Sequence, residues 1–329
     1  MTAAEGKGVA ASRAGSLALS ILAVPLSLVI LETLAKSPKT VDALRRVCGS
    51  PPATVRRHLR TLTRASTVER LGGGEPSTAA FGLTAAGHEL LRVATALKDW
   101  LTLAPTGAVE LGDPAARQAI KALVDSWSLG IVRVLAARPL SRAELEQIGR
   151  GAGLAAAEDR LGPMLEAGLV EQVPGSEPAA RYGASPLLRR AIGPLAVAAR
   201  WERRRGFDET NSISRLDVES AFLLTTPLVR LSSRLGGTCR VTVDVGDAVA
   251  GGRHVGALIT VERGGVTSCV APPSGHAQSW ASGSAKRWLD AVIDGETEGL
   301  QVGGNERLAG ALLDGLHVAL FKPHAPAPS

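Results

Sequence analysis

One order of predicted elements occurs twice in the first two thirds of the chain, over residues 14–103 and 115–205. Each copy reads as three helices, a two-stranded hairpin and a further helix, which is the element order of a winged-helix domain. A stretch with prolines and glycines, residues 104–114, separates the two copies. The repeat therefore predicts two mainly α-helical winged-helix domains in one multidomain chain.

In the first copy, an apolar helix is expected to end near Ala35, a short helix to cover residues 40–47, and a third helix to cover residues 50–64. Thr40 and Ser50 stand at the starts of the second and third helices, where a hydroxyl group can accept a hydrogen bond from a free backbone amide. Two prolines follow in the first turn of the third helix, where a missing amide proton costs nothing. Both helix starts are therefore marked in the sequence.

A hairpin and a long helix are expected to complete the first copy. Residues 67–71 and 79–83 predict the two strands, and residues 72–76 predict a glycine-rich turn between them. Thr84 is expected to cap a helix that runs to Trp100. In winged-helix proteins this position commonly holds a dimerisation helix.

The third helix of the first copy has two chemically different sides. Val55, Leu59 and Leu62 recur at i, i+4 and i+7, which predicts the side that packs in the core. The remaining surface carries no acid but several basic and polar side chains: Arg56, Arg57, Arg60, Thr61 and Arg64. A helix of this width fits the major groove of double-stranded DNA, where arginine pairs with guanine or holds phosphate oxygens. We predict that it is a DNA-recognition helix.

Three further arginines flank this helix and are expected to contact the DNA backbone. Arg45 and Arg46 lie in the preceding helix, and Arg70 lies in the first strand of the hairpin. The net charge of +6 is modest, and it favours an anionic partner only where basic residues cluster. For any single arginine a solvated surface is the simpler interpretation, but four on one helix face without an acid favour DNA.

The third helix of the second copy, residues 154–167, has the opposite charge. Its expected inward positions are apolar: Leu154, Leu161, Met164 and Leu165. Asp159, Pro163 and Glu166 then fall near the outward face, where carboxylates repel phosphate. The second copy is therefore expected to have lost direct contact with DNA bases and to serve as a spacer, dimer surface or relay. With one DNA-recognition helix per chain, we expect a homodimer on an inverted-repeat operator.

A characteristic series of residues runs through the second copy: Trp127, Ile131, Leu135, Pro139, residues 141–145, Arg160-Leu161 and residues 165–170. In this series the second copy resembles the HxlR family of winged-helix regulators. It departs from the family at residues 184–186, where Ala-Ser-Pro stands in place of the usual Leu-Thr. The first copy is similar to the same superfamily through residues 83–91. The resemblance implies DNA binding and transcriptional regulation.

The last segment, residues 216–322, changes to β-branched alternation, which predicts three strands and then a helix: residues 239–245, 254–262, 266–271 and 284–293. Its ending, residues 299–305 followed by a helix at 308–320, resembles a sterol-carrier-protein type domain. That resemblance implies an α+β fold around an apolar tunnel, and hence a hydrophobic small-molecule effector. Trp280 and Trp288 are candidates for lining the cavity, although large aromatic residues also fill ordinary cores.

Catalysis is not expected from this sequence. Residues 246–252 follow a strand and are glycine-rich, but they lack GxGxxG spacing and the lysine of a phosphate loop. The histidines and the three cysteines are scattered without metal-ligand spacing, so neither a metal nor a cofactor is expected. Winged helices also begin some small-molecule methyltransferases, but the last segment is short for the doubly wound domain that binds their cofactor.

The charge-free stretch at residues 14–31 also fits a signal-peptide core or a short membrane span. Because it continues into the first helix of the first copy, we expect a cytoplasmic protein without a membrane contact. The favoured function is a DNA-binding transcriptional regulator that responds to a hydrophobic small molecule. The alternative is a non-catalytic sequestering or resistance protein that binds a small molecule on a winged-helix scaffold, and a methyltransferase-like enzyme is least favoured.

Overall fold

The computed structural model describes most of the chain: residues 14–72, 79–105, 107–128, 130–151, 157–174, 180–206, 213–245 and 254–322. Some sequence-based expectations lie outside these residues. They concern most of the first hairpin turn, Leu154 and the glycine-rich loop at 246–252.

The first repeat contains the predicted helices and hairpin: α1 (Ser16–Leu22), α2 (Pro25–Lys36), β1 (Lys39–Thr40), α3 (Val41–Cys48), α4 (Pro52–Arg64), β2 (Val68–Leu71), β3 (Ala80–Leu83) and α5 (Ala85–Leu101). The strands form an antiparallel sheet in the order β1-β3-β2. The apolar stretch is two helices that meet at a bend of 86°, because Pro25 begins the second helix. No single helix in the described ranges has the length and apolarity of a membrane span, and only the bent α1–α2 pair passes that test jointly.

Two of the three predicted caps of the first repeat are present. The Thr40 hydroxyl accepts a hydrogen bond from the Ala43 amide, and the Thr84 hydroxyl accepts one from the Gly87 amide. The prediction for Ser50 was wrong, since its hydroxyl donates to the Cys48 carbonyl oxygen at 3.2 Å. The helix α4 begins two residues later than predicted, because Pro51 occupies the cap position.

The second repeat follows the same order with an additional helix before it: α6 (Pro114–Ser128), α7 (Ile131–Ala137), β4 (Leu140–Ser141), α8 (Arg142–Gly151), α9 (Ala157–Glu166), β5 (Val170–Val173), β6 (Arg181–Ala184), α10 (Pro186–Arg190) and α11 (Ile192–Arg203). The sequence pattern predicts the first helix of this repeat at residues 127–136. That prediction was wrong at its start, because Trp127 lies in the last turn of α6 and α7 begins anew after Gly130, which has a φ of 72°. In α9, Leu161 and Met164 are buried as predicted. Leu165 was also expected to face the core, but it is 36% exposed.

The two repeats pack together through α5 and α11, and the same hydrogen bond is made twice. The indole Nε1 of Trp100 in α5 donates to the Leu187 carbonyl oxygen at 2.8 Å. The indole Nε1 of Trp201 in α11 donates to the Ala86 carbonyl oxygen at 2.9 Å. The two donors, Trp100 and Trp201, are separated by the same number of residues as the two acceptors, Ala86 and Leu187. The repeats are therefore paired about a pseudo-twofold axis, and the expected dimerisation helix α5 contacts its own chain.

A buried carboxylate joins the start of the first repeat to α11. Glu202, 1% exposed, accepts hydrogen bonds from the backbone amides of Gly15 at 2.7 Å and Ala18 at 3.0 Å. These amides lie at the N-terminal end of α1, where no local side chain caps the helix. One continuous apolar core spans both repeats, so the two are not independent modules in packing.

The C-terminal unit is an α+β layer structure: α12 (Arg215–Thr225), β7 (Gly237–Asp244), β8 (His254–Glu262), β9 (Gly265–Val270), β10 (Ser279–Ser284), α13 (Ala285–Asp294), β11 (Gln301–Gly304) and α14 (Glu306–Phe321). The sheet order is β11-β10-β7-β8-β9, with only β7 and β10 parallel. The sequence did not predict α12 or β10. Arg133 of α7 joins this unit to the second repeat through a 2.5 Å ion pair with the buried Glu219 of α12.

Candidate nucleic-acid interface

The helix α4 separates an apolar side from a basic side as predicted. Val55, Leu59 and Leu62 are buried, at 2% exposure or less. The predicted DNA-contacting residues of this helix are all exposed: Arg56, Arg57, Arg60, Thr61 and Arg64. Gly49, with a φ of 59°, ends α3 in the left-handed region and turns the chain into α4. The backbone therefore presents the arginine side of α4 to solvent.

A surface groove runs between α4 and the hairpin, and we call it the arginine groove. Its lining includes Arg56, Arg60 and Arg64 from α4 and Arg70 from β2. The structure thus brings together four of the eight residues predicted to contact DNA. Thr63 and Phe81 also line it, and neither was predicted. The pairing of Phe81 with Arg70 across the hairpin places that ring at the groove, which a reading of helix periodicity alone does not reveal.

The other predicted contact residues lie outside the arginine groove. Arg57 and Thr61 are on the next strip of α4, where the Thr61 hydroxyl donates to the Arg57 carbonyl oxygen at 3.3 Å. Arg45 and Arg46 are exposed on α3, and the Arg46 Nε donates to the backbone oxygen of Asp42 at 3.4 Å. These side chains flank the groove and do not form part of its lining.

No carboxylate among the described residues neutralises the positive charge of α4. Throughout the ranges that the structure describes, no carboxylate forms an ion pair with Arg56, Arg57, Arg60 or Arg64. Elsewhere arginines are commonly paired, as Arg205 is with Glu89 between the repeats. Exposed, unpaired guanidinium groups on one helix attract phosphate and can hold it in bidentate fashion.

One titratable group lies on the flank of α4. The His58 Nδ1 is 3.1 Å from the hydroxyl oxygen of Ser27 in α2. Burial of the imidazole, and then the positive charge of Arg57, lower the pKa of His58 below its ordinary value of 6.5. The neutral ring is therefore favoured on this helix, because a second cation beside Arg57 is disfavoured.

The equivalent helix of the second repeat, α9, presents a different surface. Asp159 and Glu166 are exposed, and Glu166 accepts a hydrogen bond from the Gln118 side chain at 2.8 Å. Arg160 of the same helix is paired with Asp125 of α6 at 2.7 Å. The described part of α9 therefore offers carboxylates and a neutralised arginine where α4 offers unpaired arginines.

The two tryptophans predicted to line a ligand cavity differ in burial. Trp288 is buried, donates from Nε1 to the Thr242 carbonyl oxygen at 2.8 Å, and packs edge-on against Phe222 with centroids 5.3 Å apart. Trp280 is 41% exposed and lies over Gly303 of the adjacent strand. Trp288 alone of the pair lines an apolar cavity, and Phe222 is also part of the wall of that cavity.

Metal-ligating residues do not converge in the described ranges, where no group of three or more histidine, cysteine, aspartate or glutamate side chains could hold an ion. The cysteines Cys48, Cys239 and Cys269 are free thiols. Burial raises the pKa of each of these thiols, which disfavours the reactive thiolate.

A helix, a glycine turn and an exposed basic helix on a small antiparallel sheet define a helix-turn-helix DNA-binding domain. A sequence-family profile described as a helix-turn-helix domain matches residues 22–70, which include α2, α3, α4 and the start of β2. A comparison with curated proteins finds no match to the chain. The chain is thus multidomain, with a helix-turn-helix domain that carries the arginine groove and an α+β region at its other end.

Proposed function

We propose that this protein is a transcriptional regulator that binds double-stranded DNA with the arginine groove over the major groove and its edge. The observation that carries the proposal is the set of exposed arginines on α4, which have no carboxylate partner in the described chain and lie beside Arg70 of the hairpin. In this arrangement α4 is the recognition helix of a winged helix, and the hairpin is its wing. Arg45 and Arg46 then contact flanking phosphates.

In the proposed mechanism the second repeat is a degenerate, HxlR-like winged helix that no longer reads DNA. Its carboxylates at Asp159 and Glu166 support this role because they repel phosphate. The hydrogen bonds of Trp100 and Trp201 join it to the first repeat, so it supports the DNA-binding repeat within the same chain. A homodimer on an inverted-repeat operator remains part of the proposal, with a chain-to-chain contact that uses a surface other than the α5 face covered by α11.

A second function is favoured by one observation, an apolar cavity lined by Trp288 and Phe222 of the C-terminal unit. It supports response to a hydrophobic small molecule, in a unit that we propose to be sterol-carrier-like. An effector changes operator binding only if it binds the DNA-competent and incompetent states with different affinity. The same cavity would serve a non-catalytic binding protein, so DNA binding must be tested separately from ligand binding.

The test of DNA binding is a shift of the promoter fragment adjacent to this protein's own coding sequence, measured over a series of salt concentrations. We expect affinity to fall steeply as salt rises, and Arg57→Gln with Arg60→Gln to weaken binding by at least ~30-fold. The matched control is Arg234→Gln with Arg307→Gln, which removes the same charge from exposed positions of the C-terminal unit. Equal losses in both double variants would show a nonspecific charge effect and contradict the proposed interface.

A further inference from the structure

A surface groove of about 590 Å³ lies where the three regions of the chain meet, and we call it the α5–α14 groove. Its walls come from α5 of the first repeat, α10 and α11 of the second repeat, and α13 and α14 of the C-terminal unit. Small-molecule pockets commonly have volumes of about 300–1,000 Å³, and this groove falls within that range. It is separate from the apolar cavity of Trp288 and Phe222, since Leu320 is the one described residue that lines both.

Part of the α5–α14 groove is an accessible apolar surface. Leu103, which follows α5, lines the groove and is 41% exposed. Val197 of α11 and Phe321 of α14 also line it and are partly buried. An apolar protein cavity of roughly 150 Å³ accommodates benzene, and the volume of this groove is about four times as large. The groove therefore has room for an apolar group larger than one ring.

Charged residues line the same groove: Arg92, Asp99, Arg190, Arg200, Asp294 and Lys322. Arg200 and Asp294 form an ion pair between α11 and α13, and the Arg200 Nη1 also lies 3.9 Å from the Asp290 Oδ1. In the ranges that the structure describes, no carboxylate pairs with Arg92, Arg190 or Lys322. Among the described lining residues, three unpaired cations are thus opposed by one unpaired acid, Asp99.

The helix positions of these cations place them on the sides that form the groove. On α5, Thr95, Asp99 and Leu103 follow Arg92 at i+3, i+7 and i+11, so all four share one side of the helix. Arg92 is exposed, and its guanidinium group is therefore accessible along this wall. On the facing wall, Pro194 and Val197 follow Arg190 at i+4 and i+7.

We propose that the α5–α14 groove binds an organic anion with an apolar body of more than one ring, or an alkyl chain of similar volume. The exposed apolar walls at Leu103, Val197 and Phe321 decide the body of the ligand. The excess of unpaired cations decides its charge, because a cleft lined by one sign of charge concentrates ions of the other sign. None of the lining residues belongs to α4 or the hairpin, so the inference goes beyond DNA binding and does not depend on it.

The first test compares probes that share a body and differ in charge. The probes are 2-naphthoate, 2-naphthamide and 2-(aminomethyl)naphthalene, titrated calorimetrically into the full-length protein. We expect the carboxylate to bind about tenfold more tightly than the amide, as charge-assisted hydrogen bonds predict, and the ammonium compound to bind most weakly. Added salt should weaken naphthoate binding and leave naphthamide binding unchanged.

The same titrations can overturn the proposal. Equal binding of naphthoate and naphthamide, tighter binding of the ammonium compound, or no binding of naphthoate contradicts an anion site. Acetate tests the apolar part, because it has the charge without the rings. Acetate should bind at least tenfold more weakly than naphthoate, and equal binding of the two overturns the apolar contribution.

Variants locate the site. Arg92→Gln and Arg190→Gln should each weaken naphthoate binding about fivefold and leave naphthamide binding unchanged, and the retained amide binding shows that the groove is intact. Asp99→Asn should tighten naphthoate binding about twofold, because it removes the opposing charge. Arg117→Gln is the matched control, since Arg117 is exposed on α6 and does not line the groove. Equal losses in this control, or parental naphthoate binding in both Arg92→Gln and Arg190→Gln, overturns the proposal.

Discussion

The two repeats of this chain agree where hydrogen bonds hold the backbone and differ where side chains face solvent. The hydroxyl groups of Thr84 and Ser185 each cap a helix with a 3.1 Å bond and each donate to a backbone oxygen at the end of the third helix at 2.7 Å. The tryptophan bonds across the pseudo-twofold axis match in the same way. In contrast, α4 presents unpaired arginines, and α9 presents Asp159 and Glu166 with Arg160 neutralised.

This difference separates what the fold needs from what the surface does. A cap needs a short side chain that accepts a hydrogen bond, and an inter-repeat bond needs an indole N–H directed at a carbonyl oxygen. These demands are identical in both repeats, so equivalent positions hold equivalent groups. Exposed charges contribute little to stability, so they are free to follow function. The arginine side of α4 is thus best explained by a partner, and the acidic side of α9 by the absence of that partner.

The largest expected effect comes from changing the surface charge of α4. Arg56→Glu with Arg60→Glu places two carboxylates beside the remaining arginines of α4, and we expect promoter affinity to fall by at least ~100-fold because attraction to phosphate becomes repulsion at both positions. The comparison pair on α9, Asp159→Asn with Glu166→Gln, should change affinity by less than ~threefold, since under the proposed function α9 makes no base contacts. Fluorescence anisotropy at fixed salt measures both.

The outcomes of these substitutions distinguish one DNA-contacting helix per chain from two. A large effect of the α9 variant would mean that the second repeat also contacts DNA, and the contrast drawn between α4 and α9 would then be wrong. Circular dichroism of each variant serves as the control, because all four positions are exposed and substitution there should leave the helices intact.

The next effect tests the pseudo-twofold pairing itself. Trp100→Phe and Trp201→Phe each keep a large ring but remove one buried hydrogen bond between the repeats, so each should lower the free energy of unfolding by about 0.5–1.5 kcal/mol. The symmetry predicts similar losses for the two. Trp280→Phe, at an exposed position, should cost less than about 0.5 kcal/mol. Urea unfolding measures all three, and a loss in only one of the paired tryptophans would contradict equivalent roles.

Local features of the fold could be predicted from the sequence, and contacts between distant segments could not. The buried stripe of α4, the caps at Thr40 and Thr84, and the strand at His254–Glu262 follow from periodicity and turn chemistry within a few residues. Ser50 has the right residue type for a cap, but Pro51 takes the position. Two prolines in succession therefore moved the helix start, which residue type alone does not show.

The pairing of α5 with α11 and the apolar cavity lined by Trp288 and Phe222 depend on residues far apart in the chain. The sequence marked Trp127 as a helix start and Trp201 not at all, because nothing local distinguishes a tryptophan that fills a core from one whose indole bonds another segment. The arginines of α4 were predicted, since they share one helix face. Phe81 was not, since only hairpin register brings it beside Arg70.

The smallest expected effect concerns equivalent positions on the flanks of the two third helices, His58 and Arg160. His58 has a lowered pKa in the folded protein, whereas in the unfolded chain a histidine titrates near 6.5. As the pH falls below about 6.5, the unfolded chain binds a proton that the folded chain resists, so stability decreases. Because the imidazole is only partly buried, the loss between pH 7.5 and 5.5 should be under about 1 kcal/mol. His58→Gln should lack this component, which comparison of urea midpoints at the two pH values measures. The second repeat has Arg160 at the equivalent position and therefore no imidazole there to contribute it. An identical pH response in His58→Gln would show that His58 is not the titrating group.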